Sequence, residues 1–191
     1  NGWTSRLMPG AKNHTIGLVG FGGIGTEVAK RAVPFGMKVI YFCRHPNPAD
    51  DAAYGVQSVS MEELLKESDY VVAAVPLTDQ TFHLFNEERI AQMKAGSVLI
   101  NIARGPVVDE EALAQALASG HLGGCAVDVF PKEPCTNSVL TRYANALLTP
   151  HSATSTAENS KATNFAAANN LVNYLKKDID AKYVVVQGTR Y

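Results

Sequence analysis

Short aliphatic runs alternate along the chain with longer segments of helical composition. The runs are rich in Val, Ile and Leu without strict polar alternation, which is typical of strands covered on both faces. They predict strands at residues 15–20, 38–43, 70–75, 97–102, 124–129 and 146–149. The segments between them predict helices at residues 24–35, 86–93, 109–119 and 153–177. This order predicts a doubly wound, parallel α/β sheet with helices on both faces, a three-layer α/β/α fold.

Local signals mark several further boundaries. Ser60 and Glu63 stand three residues apart, the spacing of a capping box, and predict the start of another helix. Pro76 ends the third predicted strand, and Gly120 follows a helical segment as a C-cap. After a polar break, the Val-rich segment 182–187 predicts one last strand.

Composition and charge exclude several classes of protein. The chain has 17 basic and 18 acidic residues and no basic stripe, so we expect no nucleic-acid partner. Its apolar runs reach about ten residues, too short to cross a bilayer, and no signal-peptide pattern is present, so we expect no membrane association. An odd number of cysteines without a Cys-x-x-Cys pair predicts neither a disulfide framework nor a metal site. The three cysteines, Cys43, Cys125 and Cys135, are therefore expected to be reduced, and the protein to be cytoplasmic.

A glycine-rich turn, GFGGIG, follows the first predicted strand and matches G-x-G-x-x-G. Gly20 permits the tight turn, Gly22 lets a pyrophosphate approach bare backbone, and Gly25 lets the helix pack close to the strand. Backbone amides at the helix start, around Gly23 and Ile24, would then face the phosphates. Such turns also occur for steric reasons alone. In this chain the turn lies between a clearly predicted strand and a clearly predicted helix, which favours a Rossmann dinucleotide-binding site.

The end of the second predicted strand departs from the pattern expected for NAD. A carboxylate at this point normally binds the ribose hydroxyls of NAD, whereas this chain has Cys43 followed by Arg44. The missing carboxylate removes repulsion against a 2′-phosphate, and Arg44 can pair with that phosphate. The alternative is a solvated arginine, with NAD bound through other contacts. Both NAD and NADP therefore stay open as the cofactor, and NADP capability is favoured.

Three later strand ends carry groups suited to catalysis. Arg104 follows the strand at 97–102, Glu133 lies in the segment DVFPKEP, and His151 lies in LTPHS. Taken singly, such residues are more often a salt-bridge partner, a loop residue and a capping element. Together with the glycine turn and the segment VPLTDQT at 75–81, they resemble the D-isomer-specific 2-hydroxyacid dehydrogenase family in order and spacing. The resemblance covers nearly the whole chain.

The resemblance implies hydride transfer between a nicotinamide cofactor and a small D-2-hydroxy acid or its 2-keto form. A guanidinium grips a carboxylate in a fixed plane, which is the role implied for Arg104. An imidazolium gives a proton to the carbonyl oxygen and retrieves it in the reverse direction, the role implied for His151. A carboxylate beside that ring favours its protonated form and fixes its orientation, which suits Glu133.

The resemblance also implies further contacts with the cofactor. Asp128 is expected near the nicotinamide carboxamide, and His151 at the same end of the cleft. The remaining expected lining follows two strand ends and comprises Val75, Pro76, Thr81, Ile102 and Ala103.

Family members have two domains, with the substrate domain built from both chain ends. On this pattern we expect residues 1–14 to be a crossover from a substrate domain, 15–178 to be the dinucleotide-binding domain, and 179–191 to return to the substrate domain. Such a piece is expected to bind cofactor, to turn over weakly or not at all, and to form a homodimer through the cofactor domain. The segment 151–158 is similar to that of phosphoglycerate dehydrogenases, with glyoxylate and hydroxypyruvate reductases as close rivals, so the particular acid stays open.

Two other classes of function stay open. A non-catalytic NAD(H)-sensing module of the corepressor type would keep the same three residues. A methyltransferase that uses S-adenosylmethionine also has a glycine-rich first turn, but it gives no reason for Arg104, Glu133 and His151.

Overall fold

The computed structural model describes residues 10–178 and residue 180. Its strands are β1 (Thr15–Val19), β2 (Lys38–Phe42), β3 (Gln57–Ser58), β4 (Tyr70–Ala73), β5 (Val98–Asn101), β6 (Gly124–Val127) and β7 (Ala146–Leu148). Its α-helices are α1 (Gly23–Ala32), α2 (Pro48–Tyr54), α3 (Met61–Glu67), α4 (Glu87–Ala91), α5 (Glu110–Ala118) and α6 (Ala157–Leu175). Short 3₁₀ helices span Val33–Phe35, Gly105–Val107 and Val139–Arg142.

The chain divides after His151 into two compact units. The first unit contains the whole sheet and helices α1 to α5. In the second, α6 begins where the Thr156 hydroxyl accepts a hydrogen bond from the amide of Asn159. The domain boundaries expected from the sequence stay a prediction.

The seven strands form one sheet in the order β3-β2-β1-β4-β5-β6-β7, and every pair is parallel. From β1 the chain builds the sheet outward in one direction through β2 and β3, and then returns to add β4 on the other side of β1. Between β1 and β4 the direction of winding therefore reverses. Ligands of doubly wound sheets bind at such a switch point, outside the carboxyl ends of the strands.

Successive strand residues pack into two separate apolar cores, one on each face of the sheet. Leu18 and Tyr41 pack with Ala29 of α1 on one face. Val19 and Ile40 pack with residues of α3, α4 and α5 on the other. The predicted three-layer, doubly wound α/β fold is therefore confirmed, because strands without polar alternation are covered on both sides.

Side chains cap most of the helices at the positions that the sequence marks. The Ser60 hydroxyl accepts a hydrogen bond from the Glu63 amide at 3.1 Å at the start of α3, as the predicted cap requires. Asn86 caps α4 and Asp109 caps α5 in the same way. These short polar side chains satisfy amides that the first helical turn leaves without a partner.

The structure differs from the sequence prediction in four places. The helix predicted at 153–177 begins at Ala157, because Thr156 caps it. The predicted helix at 24–35 is α1 followed by a 3₁₀ turn, because Pro34 has no amide hydrogen to donate to the preceding turn. The prediction also missed α2 and β3. Helix α2 begins at Asn47 and Pro48, a favourable cap and first-turn pair, whereas β3 has only two residues and no apolar run. The predicted strand at 182–187 lies outside the described residues.

Among the helices of residues 10–178, none combines the length and the hydropathy that a membrane crossing requires.

The close approach of α1 to β1 generates a stability prediction. A Cβ atom on Gly25 would lie 2.4 Å from the carbonyl oxygen of Gly20, whereas one on Gly23 would meet no atom within 4 Å. Gly25→Ala should therefore lower the free energy of unfolding by about 1–3 kcal/mol. The matched variant Gly23→Ala should stay within about 1 kcal/mol of the parent chain, since alanine suits a helix. Urea unfolding followed by circular dichroism measures both, and equal effects would contradict this reading of the turn.

Candidate active site

A cavity of about 500 Å³ opens where β1, β2 and β4 end. It lies at the switch point of the sheet, where the topology places a ligand site. Arg89 of α4 also lines it, a residue that the sequence did not single out. Seven residues proposed from the sequence line this cavity: Gly20, Gly22, Cys43, Arg44, Val75, Pro76 and Thr81.

A second cavity of about 460 Å³ follows the ends of β4 and β5. Ala74, Val75 and Pro76 line both cavities, so the two form neighbouring parts of one cleft. The second cavity brings together four more of the proposed residues, Ile24, Ile102, Ala103 and Arg104.

The glycine turn between the two cavities fits a pyrophosphate. No atom lies within 4 Å of the position of a Cβ on Gly22 or Gly23, so bare backbone borders open space at the start of α1. Helix starts favour anions, because their amides lack partners and the helix dipole is positive there. A dinucleotide, with a nucleoside at each end of a pyrophosphate, matches two cavities on either side of such a turn.

Aromatic stacking supports the turn from below. The Phe21 ring stacks on the buried Tyr41 ring of β2, with centroids 4.0 Å apart. The Tyr41 hydroxyl donates to Asp51 of α2 at 2.8 Å. Burial, together with this hydrogen bond to Asp51, raises the pKa of Tyr41 to about 12. The hydroxyl therefore stays neutral and bonded to Asp51 beneath the Phe21 ring, which lines the cleft.

Thr81 closes the loop after β4. Its hydroxyl donates to the carbonyl oxygen of Pro76 at 2.6 Å and accepts from the amide of Thr78 at 2.8 Å. These hydrogen bonds hold the segment that lines both cavities.

Asn101, which the sequence analysis missed, holds the loop that carries Arg104. Its buried side chain accepts from the Ala103 amide at 3.1 Å and donates to the Arg104 carbonyl at 3.0 Å. The following residue, Gly105, touches the next loop so closely that a Cβ there would lie 2.0 Å from the carbonyl carbon of Phe130. The loop that carries Arg104 therefore packs closely against the loop that carries Glu133.

His151 and Glu133 form a direct pair. Nδ1 of His151 donates to a carboxylate oxygen of Glu133 at 2.7 Å, and the other carboxylate oxygen accepts from the Phe130 amide at 2.9 Å. The hydrogen bond from His151 is the main cause that holds the pKa of Glu133 below its usual range, followed by the Phe130 amide. The charge of Arg104 lowers the pKa of Glu133 further, so all three groups belong to one electrostatic neighbourhood.

Asp128 positions the backbone of His151. The Asp128 carbonyl accepts the His151 amide at 2.8 Å, and its carboxylate accepts the Thr149 hydroxyl at 2.5 Å. His151 has a φ of 49°, which is uncommon for a residue with a side chain, and these contacts hold it there. Asp128 lines neither of the two cavities described above nor a third one beside His151, described next, so its contact with a cofactor stays a prediction.

A third cavity, of about 570 Å³, lies beside this pair. Glu133 and His151 line it together with residues of the loop between β6 and β7, including Cys135. Two residues proposed from the sequence, Gly23 and Gly25, line none of the three cavities: Gly23 is exposed at the first position of α1, and Gly25 is buried against the turn. Within residues 10–178, the acidic, histidine and cysteine side chains form no cluster suited to a metal ion.

The sheet order, the glycine turn and the cleft at the switch point define a Rossmann-type dinucleotide-binding domain. A family model described as the NAD binding domain of D-isomer specific 2-hydroxyacid dehydrogenases matches residues 1–153. The chain belongs to this family, as its sequence motifs indicated.

Similar proteins extend the comparison. A glyoxylate reductase of Thermococcus litoralis is 42% identical over 175 residues, which are 92% of this chain and 53% of that protein. The crystal structure of a glyoxylate reductase from Paecilomyes thermophila superposes with a TM-score of 0.85 at 38% identity, covering 92% of this chain and 53% of that one. A D-lactate dehydrogenase from Aquifex aeolicus, solved with NAD and lactic acid, gives a TM-score of 0.84 at 32% identity, covering 92% and 58%. The chain spans about half the length of these relatives.

The hydrogen bond between His151 and Glu133 generates a prediction about pKa. His151→Ala should raise the pKa of Glu133 toward its ordinary range, because the largest cause of the lowering is removed. Carboxyl carbon shifts followed by NMR against pH measure this change. Glu62, whose pKa is lowered by Lys66 on α3, serves as the internal control and should not move.

The sign of the linked stability follows from the same shift. Since the pKa of Glu133 is lowered by folding, the pair stabilises the fold above the unfolded-state pKa of glutamate and loses this effect as pH falls through the lowered value. An unchanged Glu133 titration in the His151→Ala variant would show that the hydrogen bond does not control this carboxyl group.

Proposed function

We propose that this chain supplies the cofactor-binding and catalytic residues of an oxidoreductase that interconverts a small 2-keto acid and its D-2-hydroxy acid. The observation that carries the proposal is the His151–Glu133 pair beside Arg104, at the same edge of the sheet as a cleft shaped for a dinucleotide. Glyoxylate or hydroxypyruvate is the preferred substrate class, because the similar proteins described above include glyoxylate reductases.

The cleft would hold the dinucleotide along its length. Gly22 and the start of α1 would receive the pyrophosphate, and Val75 with Ile102 would border the nicotinamide end. When bound, the nicotinamide supplies the hydride for reduction of the keto group and accepts it in the reverse reaction.

Arg104 would bind the carboxylate of the substrate. A guanidinium offers planar, paired donors to a carboxylate and keeps its charge at every physiological pH. The loop that carries it is held by Asn101 and Gly105, so the carboxylate would be presented at a fixed place. This fixes the neighbouring keto carbon relative to the cleft.

His151 would exchange the proton at the substrate oxygen. Because Nδ1 is engaged by Glu133, Nε2 is the ring nitrogen that gives the proton during reduction and takes it back during oxidation. The Glu133 carboxylate orients the ring through this hydrogen bond. Glu133 therefore acts as a positioning residue through His151.

The cofactor selectivity that we propose includes NADP. Cys43 stands where an NAD-selective site has a carboxylate, and Arg44 follows it at the rim of the cleft. A cytoplasmic location and a homodimer formed through the cofactor domain complete the proposal. The free state of all three cysteines supports the former, and family resemblance supports the latter.

Dinucleotide binding can be tested without affecting the fold. Gly22 is the N-cap of α1 with an extended backbone, so Gly22→Asp should leave the melting temperature unchanged or slightly higher. The new carboxylate would face the pyrophosphate and should weaken binding of NADH and NADPH at least ~10-fold. Gly22→Asn has the same size without the charge and should bind more tightly than the aspartate variant. Fluorescence titration measures affinity, and unaltered binding by Gly22→Asp would contradict the placement of the pyrophosphate.

Turnover gives a second test. We expect the 191-residue chain to reduce glyoxylate, hydroxypyruvate and phosphohydroxypyruvate at least ~100-fold more slowly than a full-length relative, because reacting groups need full positioning. Oxidation of NADH or NADPH followed at steady state measures the rate. Rates equal to those of a full-length relative would show that the site needs no further domain.

A further inference from the structure

Arg89 belongs to the adenosine end of the cleft, although it comes from a helix and not from a strand end. It lies on α4 and lines the same cavity as Cys43 and Arg44, which follow β2. Its side chain is partly buried, and Nη1 donates to the carbonyl oxygen of Leu84 at 2.9 Å. The guanidinium is therefore held in place before any ligand arrives.

The ionisable side chains that line this cavity, apart from Cys43, are all basic. Its lining contains two guanidinium groups, Arg44 and Arg89, and the imidazole of His45, and it contains no Asp or Glu side chain. A ribose diol is bound best by a carboxylate acceptor, whereas a phosphate monoester carries nearly two negative charges and several strong acceptor oxygens. The lining of this cavity therefore suits a ribose 2′-phosphate better than an unmodified ribose diol.

The two arginines differ in how much order a ligand would have to impose. Arg44 is exposed at the end of β2, whereas Arg89 is anchored through Leu84. A guanidinium has five donors, and the contact with Leu84 uses one of the two terminal nitrogens. The other terminal nitrogen offers donors in a plane that is already set, which lowers the entropic cost of binding.

We propose that Arg89 and Arg44 together form a phosphate subsite for the adenosine ribose of NADP(H), and that Arg89 determines selectivity for NADPH over NADH. The inference rests on the proposed function, since it assumes that the cleft binds a nicotinamide dinucleotide. Arg44 closes over the phosphate from the β2 side, and Arg89 receives it from α4.

The test compares affinities for two cofactors that differ only in the 2′-phosphate. NADPH and NADH are titrated by fluorescence against the parent chain, Arg89→Met, Arg89→Lys and Arg44→Met. The matched control is Arg142→Met, which removes an exposed arginine beside β7, far along the sheet from β2. Calorimetry with adenosine 2′,5′-bisphosphate and with 5′-AMP repeats the comparison without the nicotinamide.

The expected result is tighter binding of NADPH than of NADH by the parent chain. Arg89→Met should weaken NADPH about tenfold or more, the effect of losing a charge-assisted contact, and leave NADH within about twofold. Arg44→Met should have a smaller effect of the same kind, and Arg142→Met none. Arg89→Lys keeps the charge but not the planar donors and should retain part of the selectivity.

The other outcomes distinguish failure of the phosphate subsite from failure of the proposed function. Equal weakening of both cofactors by Arg89→Met and Arg89→Lys would assign Arg89 to support of the Leu84 loop and overturn its role in selectivity. NADH binding as tight as NADPH in the parent chain would overturn the phosphate subsite while the proposed function stands. Binding of neither cofactor would overturn the proposed function itself.

Discussion

The reversal of winding between β1 and β4 is the constraint on which the rest of the structure depends. Because β1 pairs with β2 on one side and with β4 on the other, the segments after these strands leave in different directions. The gap between them is the cleft. The short contact between Gly25 and the Gly20 carbonyl then brings the start of α1 to the floor of that gap. The proposed phosphate site thus depends on backbone geometry before any polar side chain contributes.

The second requirement is that loops from different strands hold one another. Asn101 fixes the backbone around Arg104, and Gly105 brings that backbone against Phe130. Phe130 in turn donates its amide to Glu133, which accepts from His151. Main-chain contacts therefore connect the loop of Arg104 to Phe130, and the carboxylate of Glu133 then joins the Phe130 amide to the imidazole of His151. Such connection limits how far each group can drift from the others.

Much of this arrangement could be predicted from the sequence because it depends on short, local sequence patterns. Uninterrupted aliphatic runs predicted the parallel sheet, and the glycines after the first run predicted the turn. Residues just after strands were expected at one edge of the sheet, and the structure places Arg44, Val75 and Arg104 in the linings of the cleft. The pairing of His151 with Glu133 was expected from family resemblance rather than from spacing.

The features that escaped prediction depend on tertiary placement. Arg89 lies in a short helix, and nothing in its neighbours indicates that α4 turns it toward the end of β2. Asn101 is the last residue of β5, and its residue type alone does not indicate whether the side chain is solvated or buried, so only the fold reveals its two backbone partners. The edge strand β3 has two residues and no periodicity to detect.

The linear order of the site has a consequence for how such a chain can change. The residues that line the two parts of the cleft all lie between Val19 and Arg104, whereas the His151–Glu133 pair and its supports lie between Asp128 and His151. On the proposed function, recognition of the adenine end and proton exchange at the substrate would thus be encoded in separate stretches of sequence. Mutations in one stretch can retune coenzyme usage while the chemistry encoded in the other is inherited intact. Proteins built on this one sheet can therefore change these two properties separately during evolution.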